Sequence, residues 1–202
     1  MPLSLYAYDT FVAQEFSKIT ECRAKPIAPD FPDHNDWLGN FVLNTIFRTP
    51  LPKDKAALAF ALIRRAESAI DDYEEARRYL ELLVAKRDIS LYFRCLRRFE
   101  STVAMVYQSL DFIRKALCVT LFKPGDGSPY ERINKIYNNS RHSNPEDLPG
   151  DQLHAVWIKN EGLFTEGAEL TFEELRQLVF EIASIAGKTA RGELPPQQPA
   201  TT

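Results

Sequence analysis

An all-α helical bundle with a long antiparallel helix hairpin is the fold class this chain predicts. Three observations carry the prediction: two long apolar seams in the centre, a break in phase between them, and a strongly capped helix near the end. From Leu62 the small and apolar residues fall at Ala66, Ala69, Tyr73, Ala76, Leu80 and Leu83, in alternating steps of 4 and 3. A second run with the same steps reads Tyr92, Leu96, Phe99, Val103, Val106, Leu110, Ile113 and Leu117. Such steps keep one seam of a helix facing a partner. The phase is lost around Lys86-Arg87-Asp88-Ile89-Ser90. Lys86 and Arg87 suit a helix C-terminus, and Asp88 or Ser90 suits the next N-terminus. A short turn there folds the two helices back on each other. Alanine dominates the first seam and leucine, valine and phenylalanine the second, so small residues face large ones.

The flanking elements follow from punctuation. Asp9 is placed to cap a modest helix with Phe11, Phe16 and Ile19 on its apolar face, before Pro26, Pro29 and Pro32 break the pattern. A second helix starts near Asp33–Asp36, carries a stripe of Leu38, Phe41, Val42, Thr45 and Ile46, and stops at Arg48-Thr-Pro-Leu-Pro. Beyond Cys118, Lys123-Pro-Gly-Asp-Gly-Ser-Pro predicts a loop. Ser128 as N-cap with Pro129 at the first helical position opens a helix that runs to His142 and ends before Pro145. The stretch 153–168 mixes Val156, Trp157, Ile158, Leu163 and Phe164 with two glycines, and suits either one small β-hairpin or an ordered loop. Thr171 and Glu174 form a capping box, with Leu170 stapled to Leu175 and a stripe of Leu175, Leu178, Val179, Ile182 and Ile185 behind them. Five or six helices result. Residues 1–192 read as a single helical domain and 193–202 as a disordered Pro-rich tail.

Composition narrows the function classes. A chain of 202 residues with 45% hydrophobic and 26% charged residues suits one globular domain. Its net charge of -3 excludes the global basic field of a dedicated DNA-binding protein. The N-terminus lacks a secretory signal pattern, and no apolar run reaches membrane-spanning length, so a cytoplasmic location is expected. Cys22, Cys95 and Cys118 are odd in number and share no short spacing, which argues against a disulfide framework or zinc knuckle. No Walker loop, dinucleotide fingerprint, nucleophile elbow or zinc-protease signature is present, and no cofactor is expected. His34, His142 and His154 lack metal-ligand spacing, so no metal is expected either. Gly125-Asp-Gly-Ser128 before a helix offers amides to a phosphate, although a plain turn is the simpler reading.

The helix ending at His142 carries the candidate chemistry. Ile133, Ile136, Tyr137 and Ser140 mark its core side. Arg132, Lys135, Asn138 or Asn139, and His142 lie along another side at roughly one-turn spacing, with Arg141 beside them. Such a row suits phosphate recognition by charge and proton transfer by an imidazole. It equally suits a solvated face on which His142 complements the helix dipole.

Resemblance adds to this. A long helical hairpin followed by a shorter helix with a polar residue and a late histidine resembles the HEPN superfamily. Asp126-Gly-Ser, Arg132-Ile-Asn-Lys-Ile-Tyr-Asn-Asn-Ser-Arg-His142, Trp157-Ile-Lys-Asn-Glu-Gly-Leu163 and Leu170-Thr-Phe-Glu-Glu-Leu175 are similar to an uncharacterised bacterial family. The resemblance spans about the last two thirds of the chain. It implies a helical bundle, a homodimer and a metal-independent ribonuclease of a bacterial defence or stress system, or a non-catalytic relative acting as a helical protein-interaction module. Met105, Phe112 and Ala116, outside the second seam, agree with a dimer face. The family pattern places an arginine a few residues before the histidine with a polar residue between. Arg132 stands too early for it, and the window holds Lys135, Ile136 and Tyr137. The implied catalytic residues are therefore His142, Lys135 in place of the arginine, and Asn138, with Arg132 and Arg141 binding phosphate. Lysine keeps the charge but lacks the planar fork of arginine.

Overall fold

Two helices joined by two residues set the architecture of the computed structural model, which describes residues 5–11, 13, 15–47, 51–117, 120–141, 148 and 154–193. Helix α3 (Lys53–Lys86) and helix α4 (Ile89–Leu117) form the predicted hairpin and share the most extensive packing in the molecule. Every residue of the first seam is buried, as is the second from Tyr92 to Leu110. Ile113 is half-buried, and the side chains of Ala116 and Leu117 lie outside the described residues. At the turn, Arg87 adopts the left-handed conformation (φ 47°) and its N–H donates to Leu83 O at 2.7 Å. Asp88 then accepts the Ser90 N–H at 2.7 Å, which settles the capping choice. Polar ties run beside the seam: Arg98 and Ser101 both reach Asp72, each at 2.5 Å. Arg65 lies over the Phe112 ring at 4.6 Å, so this residue is covered from within the chain.

Helix α6 (Phe172–Ala190) packs chiefly on α3 and also on α4 and on α2 (Trp37–Phe47). Phe172 stacks on Phe99 with ring centroids 4.9 Å apart. Two predicted stripes are corrected here. Ile185 is 40% exposed and Ala186 is buried in its place. On α2, Val42 and Ile46 face outward, and the inner face is Trp37 and Phe41 with Leu38 beside them. The reason is close approach: a Cβ on Gly187 would come within 3.0 Å of the Trp37 ring, so α2 meets α6 through Trp37. The predicted N-terminal helix also shifts. Asp9 lies inside α1 (Leu5–Phe11) and not at its start; its carboxylate accepts the Ser17 N–H at 2.8 Å and the Ser17 Oγ–H at 2.6 Å.

The fold is not purely all-α. The segment weighed as a hairpin or a loop is a three-stranded antiparallel meander of β1 (Val156–Ile158), β2 (Gly162–Thr165) and β3 (Ala168–Thr171). The third strand extends past 168 to the residue that caps α6, where Thr171 and Glu174 form the predicted capping box. Each strand is only three or four residues long and β1 is buried throughout, so no alternating pattern announced the sheet. Gly162 stands opposite Thr171, and a Cβ on it would sit 2.1 Å from Leu170 O. The Ile158 N–H donates to the hydroxyl of buried Tyr92 at 3.2 Å and ties the sheet to α4. Cys118, His142 and the tail beyond Glu193 lie outside the described residues. No helix among the described residues is long and apolar enough to cross a membrane.

Two stability measurements follow. Leu80→Ala, at a fully buried seam position, should lower the unfolding free energy by about 2–5 kcal/mol in denaturant titration, with an unaltered slope. Gly162→Ala should cost at least about 1–3 kcal/mol because its new methyl meets backbone and not a yielding side chain. A melting temperature unchanged by Gly162→Ala would contradict the β2–β3 register.

Candidate functional site

Helix α5 (Pro129–Arg141) is held from inside by buried Ile133 and Ile136 and started by Ser128, whose Oγ accepts the Glu131 N–H at 3.2 Å. Glu131 is the unusual residue of its first turn. Its side chain is buried, and its carboxylate accepts the N–H groups of Gly125 at 2.7 Å and Gly127 at 2.8 Å. Both glycines have positive φ, 83° and 66°, which turns their amides inward. Those two backbone bonds hold the carboxyl below the ordinary glutamate range. Asp126 accepts from the Lys123 and Ser128 amides and closes the loop further. The amides that offered a phosphate cradle on sequence grounds thus bind a carboxylate of the chain itself.

The predicted polar row divides on the helix. Arg132 turns toward α6, where its guanidinium bonds the Glu174 carboxylate and the Gly127 carbonyl. It therefore clamps α5 to the capping box. Arg141, nine residues later, lies about 180° round the helix at about 100° per residue. It sits 5.3 Å from the centroid of the Tyr137 ring and donates to the Tyr137 hydroxyl. Lys135 and Asn138 share the outer face between them. Lys135 stands 3.6 Å from the Glu131 carboxylate, and Asn138 donates to Asn134 at 3.3 Å. His142 follows the last described residue of α5.

Two features escaped sequence reasoning. The first is a stripe of Tyr130, Asn134, Tyr137 and Arg141 along α5, in steps of 4, 3 and 4. Tyr137 stacks on Tyr107 of α4 with centroids 4.4 Å apart. The Tyr130 hydroxyl donates to Glu181 at 2.8 Å, and partial burial beside that carboxylate raises its pKa to about 12. Tyr130 lines a cavity with Tyr107, Asp111 and Arg114, whereas the last turn of α5 is tied through Asn139, Thr165 and Ala155 to the neighbour of His154, which pairs with Glu100. Helices α4 and α5 therefore run in opposite directions. The stripe was legible as spacing; its partner helix was not.

The second feature is a pair between residues 54 apart: His154 Nε2 lies 2.8 Å from Glu100 Oε1, and both side chains are half-buried. With Nε2–H donated to the carboxylate, a neutral imidazole presents Nδ1 as its base. Asn139 donates to Thr165 Oγ1 at 2.7 Å, and Thr165 donates to Ala155 O at 2.8 Å. These bonds bring the last turn of α5 to the residue next to His154. By contrast, both ring nitrogens of His34 are committed, to Phe31 O at 2.8 Å and to Asp71 at 3.0 Å. Among the described residues no group of three or more metal-ligating side chains comes together.

A folded-state carboxyl held below its unfolded value contributes stability above the unfolded value, and that contribution fades as pH falls through the folded one. Glu131→Gln should accordingly lower the melting temperature at neutral pH. The gap to wild type should close as the solution is acidified through and below the ordinary carboxylate range. A gap constant with pH would show that the loop does not depend on this charge. In comparisons with known proteins, no family model, no curated protein and no solved structure matches this chain.

Proposed function

We propose that this chain is a HEPN-like, RNA-directed protein of a bacterial defence or stress system that cleaves single-stranded RNA without a metal. The observation that carries the reading is the His154–Glu100 pair at the end of α5, beside the turn that bears Arg141 and leads into His142. Cleavage without a metal needs a base, an acid and a cation. His154 takes the proton of a ribose 2′-OH at Nδ1, and the freed oxygen attacks the adjacent phosphorus. The P–O bond to the next nucleoside breaks, and its 5′-oxygen leaves with a proton from His142. A 2′,3′-cyclic phosphate and a 5′-hydroxyl result. Lys135, Arg141 and Asn138 stabilise the charge that develops on the phosphate oxygens. Arg132, engaged with Glu174, acts by fixing α5. The resemblance also carries a homodimer, for which sedimentation should return about twice the 23.1 kDa chain mass.

A second reading, a non-catalytic protein-interaction module, is favoured by one specific observation. Helix α2 has no charged residue and exposes Val42, Leu43, Ile46 and Phe47 by 41, 55, 65 and 76%. An uncharged apolar face of this kind marks interaction surfaces.

RNA cleavage separates the two readings. Purified protein in excess chelator should cut single-stranded RNA and leave cyclic phosphate ends. His142→Ala and His154→Ala should each reduce the rate by about 10²–10⁴-fold with the fold retained. Lys135→Arg should keep or raise activity, since it restores a fork that grips phosphate oxygens. RNA left intact at high protein concentration, with the histidine variants altering only the melting temperature, would sink the nuclease and leave the module.

A further inference from the structure

At the opposite end of α5 from His154 lies an open cavity of about 370 Å³ between α4, residues 120–124 and the first turn of α5. Tyr107, Phe122 and Tyr130 contribute aromatic rings to it, Leu110 an aliphatic wall, and Asp111 and Arg114 a charged edge. Two of the rings are set in advance: Tyr107 by its stack on Tyr137, and Tyr130 by its bond to Glu181. Asp111 pairs with Arg114 at 2.7 Å and with Lys115 at 2.6 Å. Both cations are about half exposed. Preset aromatic faces beside the half-exposed guanidinium of Arg114 match a flat aromatic ring that carries an anion.

We propose that this cavity is a base-stacking subsite, which holds one nucleobase of a bound RNA strand against Tyr107 and its phosphate at Arg114. The inference rests on the RNA-directed reading and deepens it, because it supplies a grip on the strand away from the residues of cleavage. The stripe Tyr130–Asn134–Tyr137–Arg141 then connects the two ends. It alternates rings with hydrogen-bonding and cationic groups, the combination that holds single strands without sequence preference. The strand would lie along the α4–α5 side of the molecule, with its scissile phosphate at the last turn of α5.

The test is fluorescence anisotropy with a labelled, short single-stranded 2′-O-methyl RNA, which has no free 2′-hydroxyl and stays intact. Tyr107→Ala should weaken binding about tenfold, and Tyr107→Phe should bind as wild type. Arg114→Glu, at an exposed position that tolerates change, should weaken binding several-fold and flatten the salt dependence. An abasic strand of the same length supplies the stacking control: Tyr107→Ala should bind it as wild type does, while Arg114→Glu remains weaker. If Tyr107→Ala and Arg114→Glu bind the full RNA as wild type while Lys135→Ala is impaired, the subsite is overturned and the RNA-directed reading stands. Wild-type protein that binds neither strand overturns both.

Discussion

Close approach of α3 and α4 is the constraint on which the rest of the structure depends. Ala66, Ala69 and Ala76 remove bulk from one side of the hairpin, and Phe99, Val103 and Val106 fill the space from the other. Interlocked small and large residues tolerate little sliding, since packed interiors leave few voids. The register of the hairpin therefore fixes where Phe99 stands, and Phe99 is the ring on which both Tyr73 and Phe172 rest. Through Phe172 the same register sets the start of α6. Through Tyr92, whose hydroxyl takes the Ile158 N–H, it sets the first strand. Glu100, Tyr107 and Arg114 are then delivered along the outer side of α4, each to a different part of α5 and its surroundings.

The hairpin, its turn, the start of α5 and the capping box of α6 were legible because each is written in neighbouring residues. Seam spacing, a proline after a serine, or a threonine three residues before a glutamate are local signals that tertiary structure had no reason to overturn. The sheet was legible only as an alternative. Its strands are too short and too buried for periodicity, and its decisive residue is a glycine whose meaning lies in Leu170 O across the turn. Outward-facing Ile46 and Ile185 were misread for a related reason: they continue an apolar stripe whose inner neighbours already fill the contact. In the candidate site, composition located α5 and its outer Lys135 and Asn138. It did not separate Arg132 from Arg141, because that division is made by Glu174, 42 residues away, and by Tyr137. The His154–Glu100 pair had no local signal at all.

Charge within the site is arranged economically. One carboxylate, Glu131, satisfies two inward-pointing amides and also lies near Lys135. Another, Asp111, is surrounded by two cations. Acidic groups thus do structural work close to α5, while Arg141 rests on a tyrosine ring. Under the proposed reading, attraction to RNA would act at short range and fade quickly with salt.

The passage from β3 to α6 has a mechanical consequence. Thr171 is both the last residue of the strand and the N-cap of the helix, so no connecting segment absorbs motion between them. Peeling β3 from β2 would pull directly on the first turn of α6, and Glu174 in that turn is gripped by Arg132 of α5. Sheet, α5 and the start of α6 form one cooperative opening unit, whose amides would exchange with solvent together. Any event that tugs on the last turn of α5 would be felt as torque on the first turn of α6.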